Sequence, residues 1–182
     1  MKKIWVFFVF FNFIFASQNN YKNMSLIELF NNKYYSYICE NRWNFINKYN
    51  NKREDLLSLV AYACLKKRYL TPALDLAKVL KVTKEGRKNA TYIVTLFLMK
   101  KLIMQIINDD LQIGEVKLPT IKDNSLGKAF CLIEKGNFKK KDNTLEIVIS
   151  KDTIYKVWIS RNNNVVVDTI YNGILKKREY YW

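Results

Sequence analysis

Apolar residues recur every three to four positions through the first two-thirds of the chain and every second position through the last third, which predicts helices followed by strands. The clearest stretch is residues 52–81. Leu56, Leu57, Leu59, Val60, Ala63 and Cys64 form one stripe, with Glu54 and Asp55 in a first turn where the helix dipole favours acids and Lys66, Lys67 and Arg68 at the opposite end. Thr71 and Pro72 then read as the cap and first residue of a second helix that turns Leu74, Ala77 and Leu80 inward. Upstream, Ser25 and Glu28 fit a capping box before a helix over residues 26–40, and a short helix over 41–49 ends at Asn50 and Asn51. Downstream of Gly86 an apolar helix restarts at about residue 89. Lys100 and Lys101 interrupt it, so it reads as the central helix of a bundle rather than a membrane span.

Residues 113–127 carry Pro119 and little periodicity, and the period then changes to two. Leu145, Ile147 and Ile149 alternate with polar or outward positions, as do Tyr155, Val157 and Ile159, and Asn172-Gly173 is a two-residue hairpin signal before a last strand. Residues 129–133 fit a short helix or a first strand, and the reading leans to strand. The phrases Lys-Asp-Asn at residues 122 and 141 and Lys-Asp at 151 read as recurring turn chemistry. The expected fold is α+β: an antiparallel helical bundle over residues 25–112, a connector over 113–127 and a small antiparallel β-meander over 128–182.

Leu57, Val60, Ala61 and Cys64 lie on the first helix of the pair, and Ala73 follows Ala61 by twelve residues. On these residues the hairpin resembles one unit of a tetratricopeptide-like repeat. The resemblance covers about thirty residues and implies a helical pair that packs against further helices. The proline that closes such units is missing, and Ala77 and Leu80 reverse the usual large-then-small order.

Residues 1–16 open with Lys2 and Lys3, run through about a dozen apolar residues and end at Ala16 before the polar leader 17–24, the pattern of a secretory signal peptide. The run is short for a membrane anchor, the alternative reading. Removing residues 1–16 leaves 166 residues and lowers the formal charge from +15 to +13. The expected location is the periplasm or the medium.

There is no histidine in the chain, which excludes His-based triads, His metal ligands and His general acid–base roles. With five glycines there is no phosphate-binding loop, and no catalytic residue, cofactor or metal ligand is assigned. Export to an oxidising compartment permits a disulfide, and Cys39 and Cys64 fall on helices of one bundle; three buried thiols, Cys131 included, are the alternative. Glu54-Asp55 and Asp109-Asp110 are sequence neighbours and do not by themselves make a catalytic carboxylate pair. Between residues 66 and 101 ten cations face only Asp75 and Glu85. Lys66, Lys67, Arg68, Lys78, Lys81, Lys84, Arg87 and Lys88 are expected to gather around the end of the hairpin, where they read first as a solvated face of a lysine-rich chain and otherwise as a surface for an acidic partner, anionic lipid headgroups or nucleic acid. Tyr180, Tyr181 and Trp182 read as an aromatic docking handle or a tail packed back on the fold. The leading expectation is an exported, non-catalytic protein that binds another envelope protein. A surface for an anionic polymer or lipid headgroups is the second, a hydrolase using Asp or Glu the third, and export disfavours nucleic acid.

Overall fold

The computed structural model describes residues 21, 23–114 and 117–182, so the apolar segment 1–16 and most of the leader lie outside the described residues. Among the described residues seven α-helices precede a five-stranded antiparallel sheet, an α+β fold. The helices are α1 (Leu26–Asn31), α2 (Tyr35–Glu40), α3 (Arg42–Tyr49), α4 (Glu54–Lys66), α5 (Leu70–Ala77), α6 (Lys84–Asn108) and α7 (Ser125–Ile133). The strands are β1 (Lys139–Lys141), β2 (Thr144–Ser150), β3 (Thr153–Ile159), β4 (Val165–Tyr171) and β5 (Ile174–Tyr181), paired in chain order as a meander.

Residues 26–40 form two helices where one was expected. Ser25 and Glu28 make the capping box that starts α1, and a Schellman motif ends it: Lys33 is left-handed (φ 60), its N–H donates to the Phe30 carbonyl, and the Tyr34 N–H donates to Leu29. The periodicity runs through the break because Ile38 and Cys39 face the same core as Leu26 and Leu29. A left-handed lysine costs roughly 1 to 2 kcal/mol that glycine does not. Lys33→Gly should therefore raise the urea midpoint, by an amount worth up to about 1 kcal/mol after the extra unfolded-chain entropy is deducted. An unchanged or lower midpoint contradicts this account of the break.

The hairpin forms from α4 and α5, but α5 begins at Leu70, so Thr71 and Pro72 lie inside its first turn. The reason is a remote cap: the main-chain carbonyl of Trp182 accepts the Leu70 N–H at 3.0 Å and the Thr71 N–H at 3.4 Å. Pro72 has no N–H, and Ala73 donates to Tyr69, so every donor of the first turn is accounted for without a side-chain cap. The earlier start also rotates the buried face, to Leu70, Ala73 and Leu76 with Leu80 beyond the helix; Leu74 and Ala77 are only half-buried.

Helix α6 starts at Lys84, earlier than the expected residue 89, with the Thr83 hydroxyl capping the Gly86 N–H at 2.9 Å. Glu54, expected only to favour a helix dipole, is 3 % exposed. Its carboxylate accepts the N–H groups of Lys81, Val82 and Thr83 at 2.6, 2.7 and 2.7 Å and the Thr83 hydroxyl at 2.6 Å. Arg87 Nη1 donates to the Val82 carbonyl of the same loop at 2.6 Å. A Cβ on Gly86 would sit against the Glu54 carboxylate, so glycine is needed for this approach. At its other end α6 is closed by Lys140, whose Nζ donates to the Ile106 and Ile107 carbonyls at 3.0 and 2.8 Å and pairs with Asp110. That lysine explains acids at a helix C-terminus.

The lean to strand for residues 129–133 is corrected: they belong to α7. Asn124 caps that helix by accepting the Gly127 N–H at 2.9 Å, so the Lys-Asp-Asn phrase at 122 starts a helix while those at 141 and 151 make hairpins. Asn172 and Gly173 both have positive φ (48 and 77), the type I′ geometry that matches sheet twist.

Two apolar clusters meet on α6. One joins α1–α5 and Ile93; the other joins Leu96, Met99, Ile103, Ile106 and Ile107 to α7 and the inner sheet residues Leu145, Ile147, Val157, Val165 and Val167. By length and hydropathy α6 could cross a membrane, but in the fold it is the wall shared by both cores.

Candidate functional site

The bundle and the sheet are joined at the α4–α5 turn. Arg68 occupies the left-handed position of a second Schellman motif (φ 60), with its own N–H on the Leu65 carbonyl and the Tyr69 N–H on Cys64, both at 2.9 Å. The Trp182 N–H donates to the Arg68 carbonyl at 3.0 Å, completing a main-chain bridge from residue 182 to residues 68, 70 and 71. The Arg68 guanidinium meets Glu179 of β5, Nε to Oε1 at 2.7 Å, and Lys177 Nζ lies 3.0 Å from the same oxygen. The other Glu179 oxygen accepts the Ser125 hydroxyl at 2.8 Å, and Ser125 also meets the Tyr181 hydroxyl at 2.8 Å. Burial raises the Glu179 pKa, but the hydrogen bonds from Ser125, Lys177 and Arg68 outweigh it and hold the carboxyl below its ordinary value.

A cleft of about 470 Å³ opens above this network, between the end of α4, the middle of α6, the start of α7 and strands β3–β5. It continues into a groove between α4 and α6 that shares Leu65, Lys66, Tyr92, Asp123 and Asn124 with it. The Tyr92 hydroxyl donates to the Asp123 carboxylate, 2.8 and 2.9 Å from its two oxygens, and accepts from Asn124 Nδ2 at 3.0 Å. Burial, then the hydrogen bond to Asp123, pushes the Tyr92 phenol well above its ordinary value. Asp123 and Glu179 thus line one cleft, each engaged by donors. A general acid needs a pKa near the working pH, and Glu179 is held the other way.

On the far side of the turn lies an aromatic ridge. The rings of Tyr69 and Trp182 are 6.4 Å apart, and those of Tyr180 and Trp182 also 6.4 Å. Trp182, 45 % exposed, stands between two shallow depressions, of about 340 Å³ beside Arg42, Tyr69 and Pro72 and about 370 Å³ beside Arg161, Asn164 and Tyr180. Tyr180 lies beside Val166, which faces Trp158, across the outer face of the sheet. The Arg42 guanidinium lies over the Trp43 ring and that of Arg178 over Trp158, each at 5.4 Å.

The residues expected to form one basic surface are divided. Lys81, Lys84, Arg87 and Lys88 cluster with Lys78 near Glu54 at the start of α4, and Lys66, Lys67 and Arg68 stand at its end, roughly 18 Å away at 1.5 Å per residue. Arg68 is committed to Glu179, Arg87 to the Val82 carbonyl, and Lys78 pairs with Asp75 at 3.3 Å. Lys66 lies over the Tyr62 ring at 4.8 Å. Tyr181 is 3 % exposed and donates no surface, while Tyr180 and Trp182 do. Strand alternation at residues 180–182 carries that signal, because odd and even positions must face opposite ways. Cys39 and Cys64 are joined by a disulfide, with Cα atoms 4.9 Å apart, and Cys131 is a half-buried free thiol. Compared with protein-family models, with curated proteins and with solved structures, the chain matches none.

Proposed function

We propose that this chain is an exported, non-catalytic protein that docks onto another protein of the cell envelope through the ridge of Tyr69, Tyr180 and Trp182. The observation that carries the reading is the pinning of Trp182: its main chain is bonded to residues 68, 70 and 71 while its ring remains half-exposed. An aromatic anchor on a fixed backbone loses little freedom on binding, and Trp, Tyr and Arg are the side chains that dominate interface energies. The Cys39–Cys64 bridge supports residence in an oxidising compartment, in keeping with the leader-like residues 1–16.

The test is capture of a partner from envelope extract at two ionic strengths. A partner held by desolvated aromatic anchors stays bound at about 0.3 M salt, where charges are screened beyond a few ångströms. Trp182→Ala keeps the main-chain bridge and should abolish capture, whereas Lys81→Gln, Lys84→Gln and Lys88→Gln together should weaken it only modestly. Release of everything captured by salt alone, or loss of capture in the triple variant, replaces this reading with a surface for an anionic polymer or lipid.

A further inference from the structure

The cleft between bundle and sheet is on the opposite side of the α4–α5 turn from the aromatic ridge, and its sheet wall is unusual for an inner face. Tyr155 of β3 pairs directly with Thr169 of β4, and Thr169 with Lys177 of β5. Cross-strand partners on one face stand side by side, so two hydroxyls and an ammonium form one row. All three line the cleft. Tyr155 is only 8 % exposed, and neither its hydroxyl nor that of Thr169 has a hydrogen-bond partner among the described residues. Among the described residues no buried side-chain polar atom is left without a partner, so the Tyr155 hydroxyl opens to the solvent of the cleft, where an entering acceptor can take it.

The charges around this row have the same sense. Lys66, Arg68, Lys128 and Lys177 line the cleft against Asp123 and Glu179, and both carboxylates are occupied, Asp123 by the Tyr92 hydroxyl and Glu179 by Ser125, Arg68 and Lys177. Lys128 is exposed on α7 and has no ion-pair partner among the described residues. Leu65, Leu70 and Leu96 supply apolar wall. The volume of about 470 Å³ falls in the range of small-molecule sites, and a positive recess with low-dielectric walls concentrates anions.

We propose that this cleft binds a small organic anion, one that presents a carboxylate or a phosphate to the row of Tyr155, Thr169 and Lys177, with Lys128 facing it from α7. The two carboxylates on the walls do not cancel the attraction, because Lys66, Arg68, Lys128 and Lys177 against Asp123 and Glu179 leave the lining an excess of two positive charges. The site stands apart from the aromatic ridge, so its occupation and the capture of a protein partner are separate properties.

Calorimetric titration of the full chain with citrate and with pyrophosphate at low salt tests the proposal. Saturable one-to-one binding tighter than about 1 mM is expected for at least one of them; citrate alone assigns a carboxylate ligand and pyrophosphate alone a phosphate. Tyr155→Phe should weaken that binding about tenfold and leave the thermal midpoint of the free protein unchanged, since the hydroxyl it removes has no protein partner. Lys128→Gln should weaken binding similarly, while Lys48→Gln, an equal change in charge on α3, should not. The proposal is overturned if neither anion saturates, if Tyr155→Phe binds as the parent does, or if Lys48→Gln costs as much as Lys128→Gln, which would mark diffuse attraction.

Discussion

Glu54→Gln is expected to lower the unfolding free energy by roughly 3 kcal/mol at neutral pH and to erase most of its own effect in acid. Burial raises the pKa of this carboxyl, but the Thr83 hydroxyl and the amides of Val82, Thr83 and Lys81 more than reverse that and bring it down from 4.5 to about 2. Each unit of depression is worth about 1.4 kcal/mol of folding free energy. Because the folded value is the lower one, the contribution is complete above the ordinary value of 4.5 and disappears as pH falls through about 2. Urea unfolding of both proteins at pH 7 and pH 2 measures it. Equal midpoints at pH 7, or a gap that persists undiminished at pH 2, would show that the loop does not depend on the ionised carboxylate. Glu54→Ala should cost more than Glu54→Gln, since it orphans three main-chain donors at once.

Cys39→Ala combined with Cys64→Ala is the second large effect. The bridge spans 25 residues and closes a loop whose removal from the unfolded ensemble is worth about 3.5 kcal/mol on the chain-entropy relation. Against a total stability of about 5 to 15 kcal/mol this is a substantial fraction. The double variant and the parent protein under reducing conditions should show the same loss in thermal or urea unfolding. A variant as stable as the oxidised parent would mean that α2 and α4 are held by packing alone. Alanine is chosen because both sulfurs sit in apolar surroundings, with residue exposures of 1 % and 0 %, where a serine hydroxyl would add a cost of its own.

What was legible in the sequence was local. The capping box at Ser25 and Glu28, the Asn172-Gly173 turn and the alternation through β2 to β5 each depend on residues within a few positions, and each stands in the structure. Several of the failures share one physical cause, a distant group that supplied what the local pattern lacked, whereas the break at Lys33 and the Asn124 cap are local features that the periodicity did not show. Thr71 is not the cap of α5 because the Trp182 carbonyl is. Glu54 looks like a dipole-favouring acid because its partners lie 27 to 29 residues away. Residues 129–133 are ambiguous by period, and only the Asn124 cap decides them. The basic residues close in sequence are separated by the length of α4. The cleft was the least legible feature of all: Tyr155, Thr169 and Lys177 become neighbours only through two strand registers, and nothing in any one strand announces the row.

The sharing of α6 between two cores bears on how the molecule opens. Fluctuations that loosen the α1–α5 cluster leave the second half of α6 clamped by α7 and the sheet, and fluctuations of the sheet leave its first half clamped by the hairpin. Ile93 belongs to the first cluster and Leu96 to the second, so the amides between them lie where the two clamps meet, and an opening from one side leaves them held by the other. Their exchange with solvent is expected to require unfolding of the whole chain, with this part of the helix the slowest-exchanging segment in a hydrogen-exchange experiment.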